Sequence, residues 1–269
     1  MIIITLFAKS RLTLKKNWHH CTIAPAMVST EKIETMSESP KSIVILTGAG
    51  ISAESGIETF RAADGLWENH SNEDVATPEG FDRNPQLVYS FYNQRRSQLL
   101  SPSIGPNKAH TALAEFENKF SGSFLLITQN VDNLHERAGS KDVLHMHGEL
   151  LKMRCVNSRL IFDIRESFDF DTPCRCCRSA GNLRPHIVWF GEMPLHMNRI
   201  NEALEACDLF IAIGTSGNVY PASGFYQTAK IRKAHTVELN LDETGSSFDQ
   251  HEYGSATEIV PEYLNKILD

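Results

Sequence analysis

Four short apolar runs along the chain each end abruptly in glycine or polar residues. None of them alternates regularly between apolar and polar positions, and they lie at residues 43–46, 124–127, 209–213 and 236–239. Such runs are typical of strands that are buried on both faces of a parallel sheet. Residues 85–100 and 107–120 have the apolar spacing of helices. The pattern predicts an α/β fold with a doubly wound, Rossmann-like parallel sheet.

The residues that follow the four runs are rich in glycine, amide and carboxylate groups. They include residues 48–50, 128–130, 214–216 and 240–242. In open α/β sheets, ligands bind beyond the carboxyl ends of the strands. We therefore expect a single site that is built from residues far apart in the sequence.

Composition limits the classes of protein to which the chain can belong. Its 269 residues, 41% hydrophobic and 22% charged, suffice for one sizeable core and a small subdomain. The net charge of -7 argues against nucleic acid or an anionic membrane as a partner. No apolar run approaches the ~20 residues of a membrane span. Residues 152–190 hold four of the six cysteines and show little helical or strand periodicity, which predicts a small metal-binding insert.

The cysteine spacing predicts a structural zinc site. Such sites often contain two C-x2-C pairs that are separated by about 15–20 residues. Cys155 is followed by Ser158 where the second cysteine would stand. We expect Cys155 and Cys174 to be zinc ligands in a site that is one position short of this pattern. Cys177 fits the second C-x2-C pair, and Cys176 could compensate for the missing cysteine, so the spacing leaves open which of the two completes the site.

The first 40 residues are basic, and their first acidic residue is Glu31. We expect an N-terminal extension that is disordered or that results from a misassigned start, with Met27 or Met36 as later starts. A basic organelle-targeting arm is the alternative. The main domain would then span residues 41–269. Because the cysteines come without a secretory signal, we expect a reducing compartment and a cytoplasmic location.

The first strand runs into Gly48-Ala49-Gly50-Ile51-Ser52-Ala53, which resembles the G-x-G-x-x-G/A phosphate loop. The second glycine would let the backbone approach a pyrophosphate, and the following helix would offer free N–H groups. Dehydrogenases with this loop carry an acidic residue at the end of a second strand, about 20 residues on. Residues 57–67 instead predict an ordered loop with Phe60 and Arg61. Simple hydride transfer is therefore disfavoured.

Two histidines are candidates for a general base. In the run at residues 143–147, alternation puts His145 and His147 on one face, and spacing does not choose between them. A helical face in residues 85–100 carries Tyr92 and Arg95 among apolar residues, whereas Arg96 falls off that face. A buried guanidinium needs either an internal carboxylate or an acidic ligand.

Five ordered motifs resemble those of the sirtuin family. They are residues 48–57 with Phe60-Arg61, 128–135, 147–149, 214–216 and 240–242, and the likeness covers residues 41–268. The resemblance implies that NAD is consumed as a substrate and that zinc is bound. It also implies NAD-dependent removal of acetyl, succinyl and malonyl groups from protein lysines. The products would be nicotinamide, deacylated lysine and O-acyl-ADP-ribose.

The resemblance also implies residue roles. His147 would be the catalytic base, and Asp132 would serve the site, although an aspartate after a strand is also a common helix N-cap. The residues expected to bind the cofactor are Gly48, Ala49, Gly50, Ile51, Ser52, Ala53, Glu54, Gly56, Ile57, Phe60, Arg61, Trp67, Gln129, Asn130, Val131, Asp132, Gly214, Thr215, Ser216, Asn240, Leu241, Asp242 and Ala256.

Substrate contacts follow from the same resemblance. Tyr92 and Arg95 would hold an acidic acyl group, and Ala63 would leave room for it. Residues 188–192 and 217–221 would hold an acylated protein as an extended peptide strand. Val188 and Phe190 would line a lysine tunnel or be ordinary core residues.

Two other functions stay open for the sequence. One is a mono-ADP-ribosyltransferase of the same fold, and the other is a non-catalytic module that binds NAD or ADP-ribose. The oligomeric state is open as well.

Overall fold

The computed structural model describes residues 39–57, 66–67 and 70–268. The predictions for the N-terminal extension and for Phe60, Arg61 and Ala63 lie outside these residues, as does the side chain of Trp67.

Eleven strands and eight α-helices are present in the described residues. The strands are β1 (Ser42–Thr47), β2 (Leu66–Trp67), β3 (His70–Ser71), β4 (Ser123–Thr128), β5 (Val143–His145), β6 (Gly148–Cys155), β7 (Ile161–Asp163), β8 (Leu183–Ile187), β9 (Leu209–Ile213), β10 (His235–Asn240) and β11 (Gln250–Tyr253). The helices are α1 (Asn72–Val75), α2 (Pro78–Arg83), α3 (Pro85–Leu99), α4 (Lys108–Lys119), α5 (Leu134–Ala138), α6 (Met197–Ala206), α7 (Phe225–Ile231) and α8 (Ala256–Leu268). Short 3₁₀ helices span Ala49–Ser55 and Ala222–Gly224.

The main sheet has six parallel strands in the order β11-β10-β9-β1-β4-β5. The chain runs outward from β1 through β4 to β5, and then builds β9, β10 and β11 on the other side of β1. The predicted doubly wound sheet is confirmed, and its four predicted strands correspond to β1, β4, β9 and β10. The order reverses between β1 and β9, so a crevice is expected at their carboxyl ends.

Both faces of this sheet are covered by helices. Ile43 and Ile45 of β1 face a core that includes side chains of α4 and α8. Val44 and Leu46, the alternate positions, face a second core that includes side chains of α6 and α7. Burial on both faces explains why β1 reads as a continuous apolar run rather than as an alternating one.

The two predicted helices are confirmed as α3 and α4. Asn84 caps α3, since its side chain accepts a hydrogen bond from Leu87 N. Asn107 caps α4 by accepting from the backbone N–H groups of Ala109 and His110. No helix within residues 39–57 and 70–268 has the length and apolar character that crossing a bilayer requires.

The insert contains more strand than its sequence predicts. An antiparallel sheet of β7, β6 and β8 occupies much of residues 148–187. The pairing between β6 and β8 is irregular between Gly148 and Met153, and Pro185 lies within β8. The irregular register and the proline explain why these strands show little period-2 pattern in the sequence.

Candidate active site

A cleft of about 630 Å³ lies at the carboxyl edge of the main sheet. The segments that follow β1, β4, β9 and β10 line it, together with His147, which lies two residues beyond the end of β5. Five adjacent strands thus contribute to one site. This is the location that the parallel sheet predicts.

The floor of the cleft is formed where the loops after β1 and β9 meet. Gly50 N donates to Gly214 O at 2.9 Å, and Gly48 N donates to Ile213 O at 2.9 Å. A Cβ on Gly50 would lie 2.7 Å from Gly214 Cα, and Gly214 itself has a φ of 60°. Glycine is required here because the two backbones are in contact. The N–H groups of Gly48 and Gly50 therefore bind protein carbonyls.

Most of the predicted cofactor residues lie together in the cleft. Those that line it are Gly48, Ala49, Gly50, Ser52, Ile57, Gln129, Asn130, Val131, Asp132, Gly214, Thr215, Ser216, Asn240, Leu241 and Asp242. Their contact with NAD stays a prediction.

Other predicted cofactor residues lie outside the cleft wall. Ile51 is fully buried, and Ala53 and Gly56 belong to the same short helical segment and its C-cap. The Glu54 carboxylate accepts hydrogen bonds from Ser255 Oγ at 2.6 Å and Thr257 N at 3.0 Å. It therefore ties the loop after β1 to the start of α8, whose first residue is Ala256.

A buried polar network joins the loops after β1 and β4. Asn130 Nδ2 donates to Gly48 O and to Ser52 Oγ, each at 3.1 Å. Ser52 Oγ donates to Asp132 Oδ2 at 3.1 Å, and Leu134 N donates to Asp132 Oδ1 at 3.0 Å. The Asp132 side chain therefore binds the first N–H group of α5, although Asn133 is the N-cap residue of that helix, and Asp132 also lines the cleft. Burial raises the pKa of Asp132.

His147 has the geometry of a proton acceptor. Its Nδ1 lies 3.1 Å from Gln129 O. A carbonyl oxygen only accepts, so Nδ1 carries the proton and Nε2 keeps its lone pair. Burial lowers the pKa of His147 and outweighs the opposite effect of the Gln129 hydrogen bond. The imidazole is therefore neutral at neutral pH.

His145 has a different environment. The strand β5 ends at His145, so the alternation that would align it with His147 stops there. Its Nε2 lies 2.7 Å from Glu136 Oε1 and its Nδ1 lies 3.3 Å from Asn130 O. Burial disfavours the charged form, but the hydrogen bond and the charge of Glu136 raise the pKa of His145. It is a buried ion-pair partner, and only His147 lines the cleft.

The helix α3 adds Tyr92 and Arg95 to the cleft wall. Tyr92 is fully buried, and its Oη accepts a hydrogen bond from Trp189 Nε1 at 3.0 Å. Arg95 Cζ lies 4.0 Å from the centre of the Phe91 ring, and Arg95 Nη1 donates to Gln94 Oε1 at 3.2 Å. The structure therefore places a largely buried guanidinium and a buried phenol in the wall of the same cleft.

Arg96 is also buried, which the helical pattern did not predict. It is 1% exposed; its Nε donates to Leu150 O at 2.9 Å and its Nη1 to Asn93 Oδ1 at 2.7 Å. Burial lowers the pKa of Arg96 to about 10. The prediction was wrong because the strand β6 and the Phe168 ring cover this side of α3, so the helix has two packed sides.

The two segments predicted to hold a peptide both reach the cleft. Residues 188–192 line it, and so do residues 218–220. Val188 N donates to His147 O and Phe190 N donates to Ala76 O, each at 2.9 Å. These bonds fix the first segment beside His147.

Comparison with known proteins assigns the family. The Sir2 family profile matches residues 48–221. A 63% identical relative, the NAD-dependent protein deacylase of Pasteurella multocida (strain Pm70), covers 84% of this chain and 97% of its own length. The chain belongs to the Sir2 family. The relative of the same name from Escherichia coli (strain K12) is 58% identical over 86% of this chain and 83% of its own length.

Solved Sir2 structures share the fold. A Sir2 homolog–NAD complex is 39% identical and has a TM-score of 0.76, with 86% of this chain and 91% of that chain covered. A complex of Sir2 with p53 peptide and NAD+ is 30% identical and has a TM-score of 0.71, with 84% of this chain and 93% of that chain covered.

The insert of this Sir2-family chain brings four cysteines together. The Sγ atoms of Cys155, Cys174, Cys176 and Cys177 all lie within 4.8 Å of one another. A tetrahedral zinc site with Zn–S bonds of about 2.3 Å needs sulfurs about 3.8 Å apart, so the cluster fits zinc. Both Cys176 and Cys177 join the cluster, so the sulfur of Cys176 compensates for the serine at position 158. Ser158 Oγ lies 3.2 Å from Cys176 Sγ.

Several residues of the Sir2-family cleft were not found from the sequence. Thr244 follows a predicted cofactor segment, and Gln98 lies one turn beyond Arg95 on α3, so helical spacing could have indicated it. Leu150 and Ile187 come from the insert sheet, and no local pattern indicated them. All four line the cleft.

Proposed function

We propose that this chain, an NAD-dependent protein deacylase of the Sir2 family, uses His147 as the general base in the removal of acyl groups from lysine side chains. The main support is the position of a neutral His147 in the cleft, where Nδ1 donates a hydrogen bond to Gln129 O and Nε2 keeps its lone pair. NAD, when bound, supplies a ribose carbon that is activated by its bond to nicotinamide. The predicted cofactor residues of the cleft would hold it.

The polypeptide contributes proton transfer and positioning. His147 Nε2 would accept a proton from a ribose hydroxyl group of the bound cofactor, and the lowered pKa of His147 keeps that nitrogen unprotonated. The network of Asn130, Ser52 and Asp132 holds the two loops of the cleft floor in fixed positions. Asn130 and Asp132 are themselves largely buried, so their side chains have few alternative positions.

We assign the acyl group to the end of the cleft beside α3. Arg95 is 6% exposed there, and Tyr92 lies one turn before it on the same helix. A guanidinium forms charge-assisted hydrogen bonds with a carboxylate, and a phenol adds a neutral one. Succinyl and malonyl groups end in a carboxylate, whereas acetyl does not. These features support removal of acidic acyl groups in addition to acetyl.

We assign acylated proteins as partners that bind as an extended peptide along residues 188–192 and 218–220. The solved Sir2 complex with a p53 peptide supports this assignment.

We assign zinc as a structural ion of the four-cysteine cluster. The closed set of four sulfur ligands supports a structural role, since a catalytic zinc keeps an open coordination position.

The substitution Arg95→Met tests the acyl assignment. It keeps an unbranched side chain and removes the charge, which should lower kcat/KM for a succinylated peptide by about 50-fold. The value for the acetylated form of the same peptide should change by less than about threefold. Arg83→Met is the matched control, because Arg83 is an exposed arginine paired with Asp74. Equal losses on both peptides would contradict the assignment.

A further inference from the structure

A partly buried ion-pair network joins the insert sheet to the wall of the cleft. Arg184 of β8 is 8% exposed; its Nη1 donates to Glu192 Oε1 at 2.7 Å and its Nη2 to Glu192 Oε2 at 3.0 Å. Arg154 of β6 donates to the same carboxylate at 3.0 Å. Glu192 lines the cleft, where an unpaired carboxylate would repel an acidic acyl group. Two guanidinium groups neutralise that charge.

Arg184 also lies against the indole of Trp189. Its Cζ is 3.3 Å from the centre of the Trp189 ring, within cation–π distance. Trp189 is 2% exposed, and Glu192 Oε2 accepts a hydrogen bond from Trp189 N at 2.9 Å. Glu192 therefore holds the backbone of Trp189, and Arg184 packs against its indole ring.

The fixed indole determines the position of the Tyr92 oxygen. Trp189 Nε1 donates to Tyr92 Oη at 3.0 Å, and an indole N–H can only donate. One lone pair of Tyr92 Oη is therefore directed at Trp189. Burial raises the pKa of Tyr92, so its hydroxyl stays protonated and can act as a donor to an acyl carboxylate. A shift of the indole would move this hydroxyl.

Arg184 itself does not line the cleft, although Trp189, Tyr92 and Glu192 do. Any effect of Arg184 on substrate choice must therefore pass through one of these side chains. The contact with the Trp189 ring distinguishes Arg184 from Arg154, which shares only the Glu192 carboxylate.

We propose that Arg184 is a positioning residue for acyl selectivity, which stacks on Trp189 and thereby holds the Tyr92 hydroxyl where an acidic acyl group binds. The inference rests on the proposed removal of succinyl and malonyl groups. Arg184 would then determine acyl specificity from the insert sheet, without being part of the cleft wall.

The substitution Arg184→Lys tests this role. Lysine keeps the charge beside Glu192 but cannot stack as a plane on the indole while binding both carboxylate oxygens. We expect the KM for a succinylated peptide to rise about tenfold, with kcat and the acetyl KM changed by less than about twofold. Arg154→Lys is the matched control and should leave the ratio of succinyl to acetyl kcat/KM unchanged.

A double-mutant cycle separates positioning from general destabilisation. If Arg184 acts through Tyr92, the variant with both Arg184→Lys and Tyr92→Phe should be no less selective than Tyr92→Phe alone. Additive losses, or equal losses on both peptides, would overturn the inference. If Arg184→Lys folds poorly, Trp189→Phe removes the same N–H link and should lower the selectivity ratio in the same direction; an unchanged ratio would overturn the inference.

The wild-type protein distinguishes the two proposals. If it fails to remove succinyl groups, the proposed acyl preference is wrong and this inference falls with it. If it removes them and the Arg184→Lys selectivity ratio equals that of the wild type, only the role of Arg184 is wrong.

Discussion

His147 and His145 lie two residues apart and have opposite protonation properties. His147 donates through Nδ1 to a neutral carbonyl, and burial lowers its pKa. His145 faces the Glu136 carboxylate, which overcomes burial and raises its pKa. A proton acceptor needs a free lone pair at working pH, so the local environments alone favour His147.

The pH dependence of kcat/KM should reflect the lowered pKa of His147. Falling pH protonates Nε2 and removes the base, and burial moves that loss to below pH 6.5, the ordinary value for histidine. The acid limb for an acetylated peptide should therefore have an apparent pKa below 6.5. Because folding disfavours the protonated form, stability also falls as pH drops through this window, so circular dichroism at each pH must accompany the kinetics. An acid limb centred above pH 7 would contradict the assignment.

For single residues, the sequence could predict which residue types serve the site better than it could predict their surroundings. Alternation treated His145 and His147 as equivalent, because nothing local shows that β5 ends between them. Helical spacing placed Arg95 correctly among apolar side chains but missed the burial of Arg96. The partners of Arg96 are Leu150 O and Asn93 Oδ1, and the first of these comes from a distant strand.

Among the elements, the parallel strands were predictable and the insert was not. β9 is buried throughout and β1 at all but its first residue, so their composition alone indicates them. In the insert, β8 contains Pro185 and pairs with β6 through an irregular register. The cysteine spacing nevertheless located the metal cluster, because ligand chemistry leaves a stronger signal than strand pairing.

The cysteine cluster should behave as a structural zinc site. Cys177 is exposed, so Cys177→Ser removes a ligand without opening a cavity in the core. We expect zinc content to fall well below the wild-type value of about one ion per chain. The melting temperature should fall by roughly 5 °C or more.

Metal analysis and thermal unfolding check this prediction. Cys207→Ala is the control for zinc content, since Cys207 belongs to the core cluster beneath α6 and lies outside the group of four. Ser158→Ala should also retain zinc, because Ser158 contacts Cys176 Sγ without being needed as a ligand. Full zinc occupancy in Cys177→Ser would show that the four cysteines do not form the site.

In the molecule as a whole, one site depends on five adjacent strands and on the insert. The reversal of strand order between β1 and β9 opens the crevice, and glycines bring the two loops into contact there. The insert sheet contributes Ile187 to the cleft and Arg184 behind it. The strand ends could be predicted to meet, since parallel strands share an edge. The contribution of the insert depends on how two sheets pack, which no local pattern encodes.

The most direct measurement is a single assay of one peptide in acetyl, succinyl and malonyl forms, with and without NAD, for the wild type and His147→Tyr. Nicotinamide and O-acyl-ADP-ribose would be followed by mass spectrometry. The account predicts that the wild type releases nicotinamide and forms O-acyl-ADP-ribose only when NAD and an acylated peptide are both present, and that all three forms react. His147→Tyr should lose at least about 100-fold in rate. Nicotinamide release without acyl peptide, ADP-ribose attached to protein, or near wild-type turnover by His147→Tyr would contradict it.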